Sequence, residues 1–211
     1  MIVAVNYNPK LPEGCVWKAD PGYRKFPLNT TFTGTATTIG STPSPHMEFT
    51  GPTGQQKINF PRLILNEFTI CYFFYHDELT NNDMTFGFDG DTQNRFYHRD
   101  AGASYRVRVH NNSNVSVGDL VLGDIRQQWA FVAYGMGGGN RRGWVNGVNT
   151  VNVAEADSSV FVVNSFGAPY SPEPTGYFWN GKLGPVHIFN RLLEPSEGIE
   201  IFNLNKNRFG L

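Results

Sequence analysis

The sequence predicts an all-β protein: two antiparallel sheets packed face to face as a sandwich, with one short C-terminal helix. Three observations carry this expectation. Glycine (23) and proline (13) are frequent among the 211 residues, as strands joined by tight turns require. Short runs of apolar, β-branched and aromatic residues recur between turn signals along the whole chain. Only one segment, opening at Glu194-Pro195-Ser196, starts like a helix, with proline at the first turn and Glu197 and Glu200 near its positive end.

The organising stretch is Gln128–Gly147. Trp129, Phe131 and Ala133 fall on one face of a strand, and Ala130, Val132 and Tyr134 on the other. Both faces are apolar, so this strand is expected at the centre of a sheet covered on both sides. The glycine-rich stretch 135–140 reverses the chain, and the returning strand ends in Asn146-Gly147, a tight-turn pair. Glu67–Tyr75 is the most strand-like run, with Phe68, Ile70, Tyr72 and Phe74 on one face and Thr69, Cys71, Phe73 and Tyr75 on the other.

From the start, Ile2–Tyr7 alternates as a strand. Residues 8–45 hold six prolines and read as a long irregular connection pinned by Trp17 and Phe26. Short strands follow at His46–Phe49, Lys57–Phe60, Met84–Phe88, Arg95–His98, Tyr105–His110 and Val115–Leu122. The alternation Tyr105-Arg106-Val107-Arg108-Val109 predicts one wet face. After the central hairpin come Val151–Val153, Val160–Val163, Ser165–Gly167, Tyr177–Trp179 and Leu183–Asn190, with Tyr170–Gly176 as a loop. Ile199, Ile201, Phe202 and Leu204 are the helix residues available for docking.

Composition sets limits. A length of 211 residues suits one domain, with 40% hydrophobic and 17% charged residues to form a core. A net charge of −1 and the lack of a basic run in the sequence give no case for nucleic acid. No apolar run is long enough to span a bilayer. MIVAVNYNPK lacks the parts of a secretory signal, which predicts synthesis in the cytoplasm and leaves Cys15 and Cys71 as buried thiols.

Several stretches resemble the concanavalin A-like lectin/glucanase superfamily in its laminin G-like branch. Trp129–Tyr134 followed by Trp144-Val145-Asn146-Gly147 resembles its central hairpin. Gly181–Leu193 resembles its closing strand, and Ser196-Glu197-Gly198-Ile199 the segment after it. The resemblance covers most of the chain and implies a jelly-roll sandwich. Asn8-Pro9-Lys10 with Trp17, and the ending Phe202–Gly210, are similar to domains of this kind from bacteriophage genomes.

The superfamily hosts lectins, glycosidases and structural modules, so activity must be argued from residues. Its glycosidases place paired carboxylates on alternate positions of one strand, as acid and nucleophile. Glu155-Ala-Asp157-Ser-Ser159 has half of that pattern, and Asp77-Glu78 are adjacent. No catalytic residues are therefore assigned. The resemblance allows Ca²⁺ at the sandwich rim, with Asp89 and Asp91 in the best oxygen-rich loop. The five histidines show no zinc-ligand spacing. For glycan binding the candidates are Tyr97, Arg99 and Trp179. Trp129 and Trp144 are assigned to the core instead.

A chain made in the cytoplasm yet resembling an extracellular adhesion module points to a virion component. The expectation is a non-enzymatic bacteriophage structural protein on the particle surface, as capsid decoration, fibre or tail component. It would contact other virion proteins, bind host-surface glycans weakly, and pair edge strands in a homo-oligomer. A free carbohydrate-binding lectin and a glycoside hydrolase or lyase stay open as alternatives.

Overall fold

The computed structural model describes residues 11–34, 38–41, 43–51, 55–77, 83–88, 94–100, 104–110, 116–156, 160–167 and 178–211. The expected strand at Ile2–Tyr7 lies outside them. Fifteen strands and one α-helix are seen among the described residues. The strands are β1 (Cys15–Ala19), β2 (Thr31–Thr33), β3 (Thr38–Gly40), β4 (His46–Thr50), β5 (Lys57–Leu65), β6 (Phe68–His76), β7 (Asp83–Gly87) and β8 (Arg95–Asp100). They continue as β9 (Tyr105–His110), β10 (Ser116–Gly123), β11 (Trp129–Gly137), β12 (Asn140–Val145), β13 (Val148–Ala154), β14 (Phe161–Phe166) and β15 (Asn180–Phe189). Helix α1 (Pro195–Asn205) follows.

The strands form two antiparallel sheets. One runs β13-β12-β11-β6-β15-β4-β3, with β1 paired to β15; the other runs β10-β9-β8-β7-β14-β5-β2. This is the predicted jelly-roll sandwich. The Pro-rich segment is more regular than its composition suggests, since it supplies β1, β2 and β3. Its described prolines lie outside the strands, as at Pro21 in a 3-10 turn and Pro45 just before β4, so they bound pairing without interrupting it. Trp17 pins β1 to the core by stacking on Phe60 at 4.5 Å.

At the centre, β6 pairs with β11 in unbroken register from Phe68↔Met136 to Tyr75↔Trp129. Each strand is apolar on both faces because each face meets a different partner. Phe68, Ile70, Tyr72 and Phe74 point into the sandwich together with Ala130, Val132 and Tyr134. Cys71, Phe73, Phe131 and Ala133 point outward, into a second core closed by Ile201, Phe202 and Phe209 of the C-terminal segment. Ile199, by contrast, is exposed. Cys15 and Cys71 are both free thiols.

Helix α1 is held at its start by charge and hydrogen bonds. Glu197 accepts the Glu194 N–H at 2.8 Å and a forked pair of bonds from Arg191 at 2.6 and 2.7 Å. Trp144 Nε1–H donates to the Pro195 carbonyl at 3.1 Å. The indole lies directly beneath Gly198, where an added Cβ would come within 2.5 Å of it.

Two predictions follow from this packing. Alanine normally favours a helix over glycine by about 1 kcal/mol, but Gly198→Ala should destabilise the protein by about 2 kcal/mol through overpacking on Trp144. Thermal unfolding should then show Tm lowered by roughly 4–8 °C; an unchanged or raised Tm would contradict the docking described. The second concerns buried histidines. Burial, with Lys18 adding, holds His187 down to about 4, and burial beside His76 holds His98 well below its usual value. An unfolded histidine near 6.5 binds the proton that these folded ones refuse, so stability falls as pH drops from 6.5 toward 4. His187 alone should remove about 2 kcal/mol between pH 7 and pH 5. Urea unfolding at the two pH values checks this, and equal midpoints would count against it.

Candidate functional site

The two outer faces of the sandwich differ. The C-terminal segment covers much of the β6–β11 region outside, whereas the outer face of β8, β9 and β10 carries part-exposed charged side chains. Strand periodicity sets what is displayed there. Phe96, Val107 and Val109 turn into the core, so Arg95, Tyr97 and Arg99 of β8 and Arg106, Arg108 and His110 of β9 turn out. Register then brings them side by side: Arg95 opposite His110, Tyr97 opposite Arg108, and Arg99 opposite Arg106.

Strand β10 adds one carboxylate, Asp119, opposite Arg108. A bulge places it there. Gly118 takes φ +94°, a left-handed conformation that glycine adopts without a Cβ penalty. Tyr134 reaches across from the other sheet to anchor that bulge, its hydroxyl donating to the Val117 carbonyl at 3.1 Å. Burial pushes this phenol up to about 12, which keeps it a donor at ordinary pH.

Asp119 binds Arg108 through both oxygens, at 2.6 and 2.8 Å, and Arg106 at 3.2 Å. The Arg108 hydrogen bonds, opposed by burial and aided by Arg106, hold its carboxyl below the usual range. Beside this fork, Arg95 Nη2 lies 3.2 Å from His110 Nδ1 and the Tyr97 hydroxyl 3.0 Å from Nε2. A guanidinium can only donate, so Nδ1 accepts, and Nε2–H donates to the tyrosine oxygen. Arg99 makes no hydrogen bond or ion pair among the described residues. The result is a fixed array of forked donors on a rigid sheet, suited to holding oxygen-rich groups.

The expected site residues separate in this geometry. Tyr97 and Arg99 lie together in the array. Tyr97 is only 7% exposed and Trp179 only 1%, so neither offers the open aromatic plane that sugar stacking uses. The Trp179 ring turns into the core, 4.0 Å from His76 and 5.1 Å from His98, because its backbone bridges Gly51 and Gly167 at the strand ends. Trp129 and Trp144 are core residues. Asp89, Asp91 and Asp157 lie outside the described residues. Among the described ones, no three His, Cys, Asp or Glu side chains converge to hold a metal ion.

Sequence reading found no basic run, yet the fold builds a basic patch from Arg95, Arg99, Arg106 and Arg108. The signal available was the alternation Arg106-Val107-Arg108. Its pairing with Arg99 and with Asp119 is a matter of register between strands, which spacing within one strand does not carry.

A laminin G family model, described as the concanavalin A-like lectin/glucanases superfamily, matches residues 49–197. No curated protein sequence matches the chain. Among solved structures, domain 4 of AbnA, a GH43 extracellular arabinanase from Geobacillus stearothermophilus in complex with arabinotriose, is similar at 15% identity and TM-score 0.63. That match covers 82% of this chain and 87% of that one. The botulinum neurotoxin serotype G binding domain is similar at 9% identity and TM-score 0.65, covering 90% of this chain and 51% of that one. This chain therefore spans about half the length of that domain. A heptameric SAP-like pentraxin from Limulus polyphemus is similar at 12% identity and TM-score 0.56, covering 82% and 81%. At these identities the likeness is one of fold. With the family model matching most of its length, the chain belongs to the concanavalin A-like lectin/glucanases superfamily.

Proposed function

We propose that the chain is a non-enzymatic carbohydrate-binding module whose ligand lies on the outer face of β8, β9 and β10. The observation that carries this reading is the Asp119–Arg108–Arg106 fork beside the Tyr97–His110–Arg95 chain, on the outer face of the seven-stranded sheet. Hydroxyl-rich ligands need donors and acceptors fixed in advance, because each flexible side chain ordered on binding costs about 0.5–1.5 kcal/mol. Here the sheet and the fork have already ordered them. The similar arabinanase domain was solved with arabinotriose, and the similar neurotoxin domain is a binding domain, which supports the same class of role.

The non-catalytic part of the reading is supported by the carboxylates. Asp119 faces arginines across the strand pairs and is tied up by both. Glu155 is paired with Arg141 at 3.5 Å. Acid–nucleophile chemistry needs two carboxyl groups facing one sugar bond, one of them free to carry a proton. We further propose display on a bacteriophage particle as the setting, supported by the similarity of Asn8-Pro9-Lys10 and Phe202–Gly210 to phage domains. Mass spectrometry of purified particles should find the chain at stoichiometric copy number; its absence would remove that setting and leave a free lectin.

Binding is tested with a panel of neutral and acidic polysaccharides. The expected result is saturable binding with no shortening of the polymer on long incubation. Arg108→Lys keeps the charge but loses the fork to Asp119, and should weaken binding about tenfold while lowering Tm by only a few degrees. Binding unaffected by this change would move the site elsewhere, and a fall in chain length would establish a hydrolase or lyase.

A further inference from the structure

Resting on that reading of the face, we propose that its ligand is an acidic polysaccharide, one carrying carboxylate or sulfate groups along the chain. The charge balance of the patch carries this. Arg95, Arg99, Arg106 and Arg108 project from two adjacent strands, and on β8 to β10 Asp119 is the carboxylate among the described residues that shares their side. Arg99 and Arg106 stand directly opposite each other, an arrangement of like charges that destabilises a sheet. Asp119 relieves one side of it, through Arg106 Nη1. Among the described residues, Arg106 Nε meets no acceptor and is shielded from water, and Arg99 has no ion pair.

The Arg106 side chain is otherwise part-exposed, and an anionic group seated between Arg99 and its open guanidinium edge would offset the repulsion between the two charges. Spacing adds a direction. Arg95 and Arg99 lie four residues apart on one strand, about 13 Å, while Arg106 and Arg108 sit one strand away, about 4.8 Å. Anionic groups repeated along a polymer can reach several of these positions at once; a single small anion reaches one or two.

Other polyanions fit less well. Tyr97, the one Phe, Tyr or Trp side chain on this face of β8 and β9, is too buried to stack on a base. An acidic peptide added as a strand would pair along the open edge of β10, whereas Arg99 and Arg106 lie on β8 and β9, which are hydrogen-bonded on both sides.

The test uses the full chain with matched probes: polygalacturonate against its fully methyl-esterified form, dextran sulfate against dextran, and single-stranded DNA. Each is measured by calorimetry at low and high salt, with Arg99→Gln, Arg106→Gln and Arg126→Gln beside the parent. Arg126, paired with Asp124 in the turn before β11, is the control. The expected result is binding of one or both acidic polymers at least about tenfold tighter than their neutral partners, weakened by salt. Arg99→Gln and Arg106→Gln should each reduce it about tenfold, with Arg126→Gln unchanged. Equal binding of neutral and charged partners would overturn the proposal while leaving a glycan-binding face in place. Acidic binding indifferent to Arg99→Gln and Arg106→Gln would overturn it as well. DNA bound as tightly as the acidic polysaccharides would replace it with a general polyanion site. If none of the polysaccharides binds, the carbohydrate-binding reading itself falls.

Discussion

The pairing of β6 with β11 is the interaction on which the rest of the molecule depends. Eight successive partners, from Phe68↔Met136 to Tyr75↔Trp129, join two strands whose faces are both apolar. Such a pair must be buried twice. The seven-stranded sheet covers one side, and α1 with the residues after it covers the other. Each buried large apolar side chain contributes roughly 1.5–3 kcal/mol, so leaving either side open would be prohibitive for a domain of this size. The forked bonds of Glu197 to Arg191, and the Trp144 N–H bond to Pro195, aim the helix onto this surface.

That constraint bears on where the proposed binding face lies. With its outer face committed to the helix, the central part of the eight-stranded sheet has little left to offer a ligand. The outer positions of β8, β9 and β10 in the seven-stranded sheet carry charged, part-exposed side chains around the buried Tyr97. The two sheets are still linked in detail. Tyr134, from the middle of the committed sheet, holds the β10 bulge that puts Asp119 beside Arg108. A core tyrosine thereby fixes the geometry of a surface fork, and the surface array inherits the rigidity of the core.

The fold was largely legible in the chain because periodicity reports burial directly. EFTICYFFY and WAFVAY show two apolar faces, and the structure places both strands between two covering layers. Glu194-Pro195-Ser196 marked the helix start to within a residue. The Pro-rich segment was harder, since pairing at β1 and β2 depends on Phe189 and Ile58 far away in sequence, and local composition has no access to those partners. Strand alternation placed Tyr97 and Arg99 on the same outer side of β8, but it could not show that Tyr97 is buried there or that Trp179 turns inward, its backbone fixed by Gly51 and Gly167 on both sides. Asp119 and Arg106 matter only through register, a relation among three strands that no single run displays.

The central claim is that ligand occupies the outer face of β8 to β10 and leaves the helix-covered sheet alone. Side-chain NMR of the arginine Nε–H groups, during titration with an oligogalacturonate, tests it most directly. The account predicts progressive shifts for Arg99, Arg106 and Arg108, with Arg191 and Arg208 unmoved at saturation. Shifts at Arg191 or Arg208, with the β8 and β9 arginines silent, would place the ligand on the other side of the sandwich and contradict it.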